Sequence, residues 1–173
     1  MHVKFLKVFN IYMYSAKIAP ISAVEVELSL FAPDILHDGV AATCADLSIP
    51  VVAYSPLGRG ILAGRFSSLS EVPEGEFLHF IPKYQDGAIQ QNIKRINALN
   101  AVAQKNGLTP AQLALGWIKA LPARPGMPSI IPIPGGTTPD KIEQNVNAKA
   151  LSTDVMDEID RILAEYKVVG TRY

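Results

Sequence analysis

The chain has 173 residues, of which 49% are hydrophobic and 18% are charged, a composition typical of a globular protein and not of a disordered one. Sixteen basic and sixteen acidic residues leave a formal net charge of zero. The absence of a basic block interleaved with aromatic residues argues against nucleic acid binding. No apolar run approaches the roughly 18 residues that a membrane-spanning helix needs.

The single cysteine, Cys44, excludes an internal disulfide and suits a reducing compartment. Because Cys44 lies among apolar residues at helical spacing, we predict a small core residue and not a nucleophile. A weak signal-peptide pattern in residues 1–14 is interrupted by Asn10 and has no clear cleavage site. We therefore predict a cytoplasmic protein without a membrane or nucleic acid partner.

The first predicted elements are a strand, a helix and a second strand. Residues 23–28 alternate acidic and β-branched side chains and predict a strand. Residues 33–47 carry apolar side chains at helical spacing and predict a helix, with Asp34 and Asp38 as candidate N-caps. Residues 51–54 are a short apolar run typical of a buried strand. This order predicts a parallel strand pair with a right-handed crossover.

The second strand is followed by a glycine-rich loop. Pro56 restricts the backbone of Ser55 and predicts an extended conformation there. Gly58, Gly60 and Gly64 permit backbone angles and close approaches that a Cβ atom would prevent. Since the carboxyl ends of parallel strands are where α/β proteins build their sites, this loop is a candidate ligand-binding loop.

Residues 65–87 predict a long surface loop, and loops of this length are usually functional or mobile. Within it, His79 has no partner at metal-ligand spacing, and we expect a solvated or locally bonded side chain. The same interpretation applies to His2 and His37. We predict no metal site.

Two amphipathic helices follow this loop. Residues 88–106 place apolar side chains on one face, and Gly107 stands where a left-handed C-cap belongs. Thr109 and Gln112 form a capping-box pattern that begins the next helix. We interpret Trp117 in that helix as a core residue and not as a ligand platform.

Residues 129–133 predict a third strand, whose apolar character is expected where both faces of a sheet are covered. Pro132 inside it predicts a strand end or a bulge. A turn over residues 134–140 then opens a helix with Thr138 as its predicted N-cap, and a last helix begins near residue 152.

The turn before the Thr138 helix is a candidate phosphate site. Its backbone N–H groups lie at the N-terminus of the predicted helix, which is the positive end of the helix dipole. Lys141 lies on the first turn of that helix. Simple turn chemistry explains the same residues equally well.

Four separated motifs follow one another along the chain: residues 52–60, residues 109–117, residues 131–145 and the terminal residues 170–173. Together they resemble the aldo-keto reductases. Within that family, residues 24–64 are most similar to fungal pyridoxal reductase-like members. The resemblance covers residues 15–173 and leaves 1–14 as a divergent N-terminal segment. That family folds as an eight-stranded (β/α)8 TIM-type barrel, typically of about 250 residues. The resemblance therefore implies the C-terminal half of such a domain: a partial barrel with about three parallel strands and flanking helices.

The resemblance also implies a set of NADPH contacts. Tyr54 takes the position of the tyrosine that stacks on the nicotinamide ring. Glu25 takes the position of a glutamine that bonds the nicotinamide carboxamide, although an ionised glutamate cannot donate. The residues implied at the pyrophosphate are Ser55, Leu57, Gly58 and Arg59. Those implied at the adenosine and its 2′-phosphate are Gly136, Thr137, Lys141, Gln144 and Asn145.

The activity implied by the resemblance is NADP-dependent reduction of aldehydes or ketones to alcohols, with pyridoxal as one candidate small-molecule substrate. The family's catalytic Asp, Tyr, Lys and His lie on early strands, and no motif of this chain matches them, so we name no catalytic residue. Two alternatives therefore stay open: a catalytically inactive fragment and a nucleotide-binding or regulatory module. A partial barrel would also expose sheet edges through which copies of the chain could associate.

Overall fold

A computed structural model describes residues 14–66, 69–85 and 87–171. In these residues, strands β1 (Val24–Glu27), β2 (Val51–Tyr54) and β3 (Ile130–Pro132) form one parallel sheet in the order β1–β2–β3. The three strands therefore end at the same edge of the sheet. The predictions for the N-terminal segment 1–14, apart from residue 14, lie outside the described residues, as do those for His2 and for residues 172–173.

The helices connect and cover these strands. They are α1 (Val40–Asp46), α2 (Ala88–Lys105), α3 (Pro110–Ala120), α4 (Pro139–Asn147) and α5 (Thr153–Glu165), and residues 14–18 are also helical. Helix α3 packs against β3 and α4, whereas α2 packs against α3 and α5. No helix within the described ranges is long and apolar enough to cross a membrane.

The predicted helix caps at Gly107, Thr109 and Thr138 are confirmed. The side-chain hydroxyl of Thr109 accepts from the N–H of Gln112 at 3.2 Å, and the Gln112 side chain accepts from the N–H of Thr109 at 2.9 Å. Gly107 has a φ of +63°, as a left-handed cap requires. Thr138 accepts from the N–H of Lys141 at 3.4 Å. These ends follow from local chemistry, so the sequence alone identifies them.

The single helix predicted over residues 33–47 is wrong. A 3-10 turn covers Asp34–Leu36, and α1 begins only at Val40. Gly39 separates the two with a φ of +92°, which interrupts the helical path. The predicted N-caps here are also wrong: Asp34 is the first residue of the 3-10 turn, and Gly39 is the N-cap of α1. The carboxylate of Asp38 nevertheless accepts from the N–H of Val40 at 3.0 Å.

The core lies on one face of the sheet, beneath the helices. Val24, Val51 and Ile130 share this face and are buried. Trp117 of α3 and Cys44 of α1 are both fully buried, which confirms their predicted place in the core.

The other face, here called the open face, carries Glu25, Val52 and Ile131 in register across the three strands. The prediction that the third strand is covered on both faces is wrong, because Ile131 is 51% exposed and Ile133 is 47% exposed. β3 is an edge strand of a partial barrel, so the surface that a closed barrel would bury is open here. Pro132 does end the strand, as predicted.

The surface-loop prediction for residues 65–87 is wrong in its second half. Short 3-10 turns cover Leu69–Glu71, Phe77–Phe80 and Pro82–Tyr84. Leu78 and Ile81 are buried, so this segment packs into the core, although its described part contains no α-helix or strand. Its apolar residues follow neither a helical nor a strand period, and the sequence pattern therefore conceals their burial.

Candidate functional site at the carboxyl edge of the sheet

The loop after β2 is built from unusual backbone conformations. Ser55 and Arg59 have φ of +49° and +57°, in the left-handed region that non-glycine residues rarely enter. The expected extended conformation of Ser55 is therefore wrong. Gly58 and Gly60 also have positive φ, and a Cβ atom on Gly58 would lie 3.1 Å from the Ile61 side chain. Such conformations cost roughly 1–3 kcal/mol each at non-glycine residues and tend to occur at ligand sites.

Internal hydrogen bonds hold this loop against the end of the strand. The N–H of Gly58 donates to the carbonyl of Ser55 at 2.9 Å, and the N–H of Gly60 donates to the carbonyl of Leu57 at 3.0 Å. Tyr54, the last residue of β2, and Leu57 are half-buried. The loop is thus a compact turn closed by its own backbone hydrogen bonds.

Arg59 is the charged group of this loop. Its guanidinium carbon lies 5.4 Å from the centre of the Phe77 ring, within the range of a cation–π contact. Its Nε atom is buried and has no hydrogen bond partner among the described residues. A buried donor without an acceptor is costly, and a bound anion would satisfy it. This loop therefore contains a donor that is suited to an anionic ligand.

The turn after β3 opens α4. Gly136 and Thr137 are exposed, and a Cβ atom on Gly136 would lie 2.7 Å from the Ile142 side chain, so the turn packs closely only with glycine there. The side chain of Asn145 is buried and donates to the carbonyl of Gly135 at 3.2 Å. Asn145 thereby holds the turn against its own helix.

The register of the sheet relates the two loops. Because Ala53 lies opposite Pro132, the chain leaves β2 and β3 at neighbouring points of one edge. On α4, Lys141 is exposed on the first turn and Gln144 is half-buried. Glu25 stands apart from these residues: it lies inside β1, exposed, opposite Val52 on the open face.

A buried ion pair beside the loop after β2 is not predicted by any sequence pattern. The Lys83 ammonium lies 3.4 Å from a carboxylate oxygen of Glu27, the last residue of β1, and the two side chains are 4% and 2% exposed. Next to it, the hydroxyl of the fully buried Tyr84 donates to the carbonyl of Gly58 at 3.0 Å. Burial, assisted by the charge of Glu27, raises the pKa of Tyr84. The pair was not predictable from the sequence, because Glu27 and Lys83 are 56 residues apart and no local pattern links them.

His79, which lies in the described range 69–85, bonds to neighbouring backbone carbonyls. The Nε2 atom of His79 lies 3.2 Å from the carbonyl of Val72 and 3.0 Å from that of Pro73, which confirms the expected local bonding. Within the described ranges, no group of three or more His, Cys, Asp or Glu side chains could hold a metal ion.

The Aldo/keto reductase family model matches residues 8–164. The chain belongs to the aldo-keto reductase family. A Saccharomyces cerevisiae protein provisionally named as a pyridoxal reductase is 38% identical over 163 residues, covering 88% of this chain and 47% of that protein. A Schizosaccharomyces pombe aldo-keto reductase whose name includes NADP(+) is 34% identical over 168 residues, covering 95% of this chain and 48% of that protein.

Among solved structures, a glycerol dehydrogenase from Gluconobacter oxydans superposes with a TM-score of 0.73 at 22% identity, covering 90% of this chain and 46% of that one. This likeness confirms the TIM-type fold of this aldo-keto reductase chain. The chain spans about half the length of the curated relatives it matches. The three-stranded sheet is accordingly a partial barrel.

Proposed function

We propose that this chain, over residues 15–173, forms the NADP-binding part of an aldo-keto reductase that reduces aldehydes or ketones to alcohols. The observation that carries the proposal is the pairing of two glycine-containing loops at neighbouring strand ends, one of which buries the unsatisfied Nε of Arg59. A relative's name includes NADP(+), which favours the phosphorylated dinucleotide. Bound NADPH would supply the hydride, and the residues described here would hold and orient it.

The loop after β2 would contact the pyrophosphate. Ser55 and Arg59 provide a hydroxyl and a cation, while Leu57 and Gly58 provide backbone at close range. Tyr54 offers the face of a ring at the end of β2, and we propose that the nicotinamide stacks on it.

The turn after β3 would contact the adenosine and its 2′-phosphate. Gly136 and Thr137 bring backbone N–H groups to the N-terminus of α4, where a negative charge is favoured. Lys141 adds one point charge rather than the two-pronged contact that an arginine makes. Gln144 and Asn145 lie further along α4, and Asn145 keeps the turn closed through Gly135.

Glu25 is the weakest member of the proposed set. It is exposed on the open face and lies before the end of β1. An ionised carboxylate can accept from the amide NH₂ of nicotinamide but cannot donate to its carbonyl. We therefore assign Glu25 only an accepting contact.

Pyridoxal is the candidate substrate that the names of two relatives suggest, one from Saccharomyces cerevisiae and one from Schizosaccharomyces pombe.

Protonation of the developing alkoxide needs a positioned acid, and no motif of this sequence matches the family's catalytic tetrad. We therefore propose that this chain alone binds NADPH and reduces carbonyl compounds poorly; the alternative is an inactive fragment or a regulatory nucleotide-binding module.

Fluorescence titration with NADPH and with NADH tests the proposal. We expect tighter binding of NADPH, and Lys141→Ala should reduce that preference roughly fivefold to tenfold by removing a contact to a charged phosphate. Lys94→Ala is the matched control, because Lys94 is an exposed lysine of α2. Equal affinities for the two dinucleotides would argue against the 2′-phosphate contact. Rapid NADPH-dependent reduction of pyridoxal by the purified chain would contradict the inference that this chain lacks the acid that protonates the alkoxide.

A further inference from the structure

We propose that Tyr84 is a positioning residue that holds the loop of residues 55–60 in its pyrophosphate-binding conformation. This inference rests on the proposed function and adds to it a residue outside both loops. The hydroxyl of Tyr84 donates to the carbonyl of Gly58 at 3.0 Å, across 26 residues of sequence. It is thus a tertiary hydrogen bond from a distant segment to the backbone of the loop.

The geometry of the peptide group explains why this bond matters for an anion. In a trans peptide the C=O and the following N–H point in opposite directions, and the described chain has no cis peptide bond. Since Tyr84 draws the Gly58 carbonyl into the core, the N–H of Arg59 points away from Tyr84. Rotation of this peptide would instead direct the negative end of the carbonyl dipole outward, where it would repel a pyrophosphate. Tyr84 therefore selects the orientation that favours an anion.

The Tyr84 ring is itself held firmly. Its centre lies 5.5 Å from that of Phe31 in a tilted arrangement and 6.2 Å from that of Phe66 in an edge-on arrangement. These are separations at which aromatic pairs attract. Because burial raises the pKa of Tyr84, the hydroxyl keeps its proton and remains a donor.

The residue before Tyr84 fixes the backbone that carries the ring. The Lys83 ammonium pairs with Glu27 and lies 5.3 Å from the Phe31 ring. The Lys83 carbonyl accepts from the side-chain NH₂ of Asn92 at 2.9 Å. The same Asn92 amide donates to the carbonyl of Val169 and accepts from the N–H of Val169. The position of the Tyr84 hydroxyl is therefore determined by the end of β1, by α2 and by the C-terminal segment together.

The test uses the variant Tyr84→Phe, which removes the hydroxyl and keeps the ring between its neighbours. We expect NADPH binding to weaken about tenfold, because a buried carbonyl loses its donor and the loop peptide is released. Binding of adenosine 2′-monophosphate, which has no pyrophosphate, should stay within a factor of two. Tyr14→Phe makes the same chemical change at an exposed tyrosine and should alter neither affinity. Equal weakening of both ligands by Tyr84→Phe, or no weakening of NADPH, would overturn the proposal.

Hydrogen–deuterium exchange separates this inference from the proposed function. We expect faster exchange of amides 57–62 in Tyr84→Phe than in the wild-type chain without any ligand. Unchanged exchange there would overturn the positioning role even if NADPH binds. Faster exchange in a chain that binds no NADPH would support the positioning role and refute the proposed function.

A second variant keeps the inference testable if Tyr84→Phe does not fold. Phe66→Leu retains the hydroxyl but removes the ring that packs edge-on against Tyr84. We expect a smaller loss of NADPH affinity, about threefold, with faster exchange of amides 57–62. Wild-type affinity and exchange in Phe66→Leu would count against the proposal.

Discussion

Replacing Lys83 by methionine removes the ammonium from a buried ion pair and keeps most of the side-chain volume. In the wild-type chain the Lys83 and Glu27 side chains are 4% and 2% exposed, and the charged atoms are 3.4 Å apart. The variant therefore takes the Lys83 cation away from the buried Glu27 carboxylate. Removal of one member of a buried pair typically costs about 3–5 kcal/mol.

Two features of the structure place the expected loss at the upper end of that range. The Lys83 ammonium also lies over the rings of Phe31 and Tyr84, at 5.3 and 5.7 Å, and each such contact contributes about 2 kcal/mol when desolvated. Since a domain is typically stable by only about 5–15 kcal/mol, a loss of this size removes a large fraction of the total.

Urea unfolding followed by the fluorescence of Trp117 measures the change, because this single tryptophan is fully buried. The double variant Glu27→Leu, Lys83→Met should recover most of the loss, since replacing a buried pair by apolar side chains is often neutral or stabilising.

The exposed pair of Lys105 and Glu158 is the matched control. Its nitrogen–oxygen distance is 2.9 Å, and the Lys105 side chain is 66% exposed. Lys105→Met should therefore cost less than about 1 kcal/mol. A loss in Lys83→Met no larger than in Lys105→Met would refute the inference that the buried pair is desolvated and structurally important.

Two further predictions concern pH and association. Burial raises the pKa of Asp38 above 3.8, so the stabilising contribution of Asp38 is present below pH 3.8 and is lost as the pH rises through the folded-state pKa. Asp38→Asn keeps an acceptor for the N–H of Val40, and in urea unfolding it should gain stability relative to the wild-type chain between pH 3.5 and pH 7; a constant difference would contradict this. Ile131→Lys places a charge on an exposed edge strand and should reduce self-association in size-exclusion chromatography with light scattering. An equal reduction by Ala42→Lys, at an exposed position of α1, would attribute the effect to net charge instead.

Some of the candidate site was predictable from the sequence. The glycine loop after β2 and the turn before α4 are recognisable from Gly, Pro and Thr at fixed offsets. Both lie where the order of strands and helices predicts them. The positive φ of Ser55 was not predictable, because the restriction by Pro56 is weaker than the packing of the loop that follows. The roles of individual residues toward NADPH stay predictions.

By itself, the sequence determined the elements whose causes are local. Thr109 begins α3 and Gly107 ends the preceding helix, since each cap depends on residues within one turn. Tertiary structure decided what depends on distant neighbours. Ile131 belongs to an apolar strand yet is exposed, because burial depends on whether another strand or layer covers that face. Lys83 lies in a segment without periodicity yet is buried, because Glu27, 56 residues earlier, supplies the opposite charge in the interior.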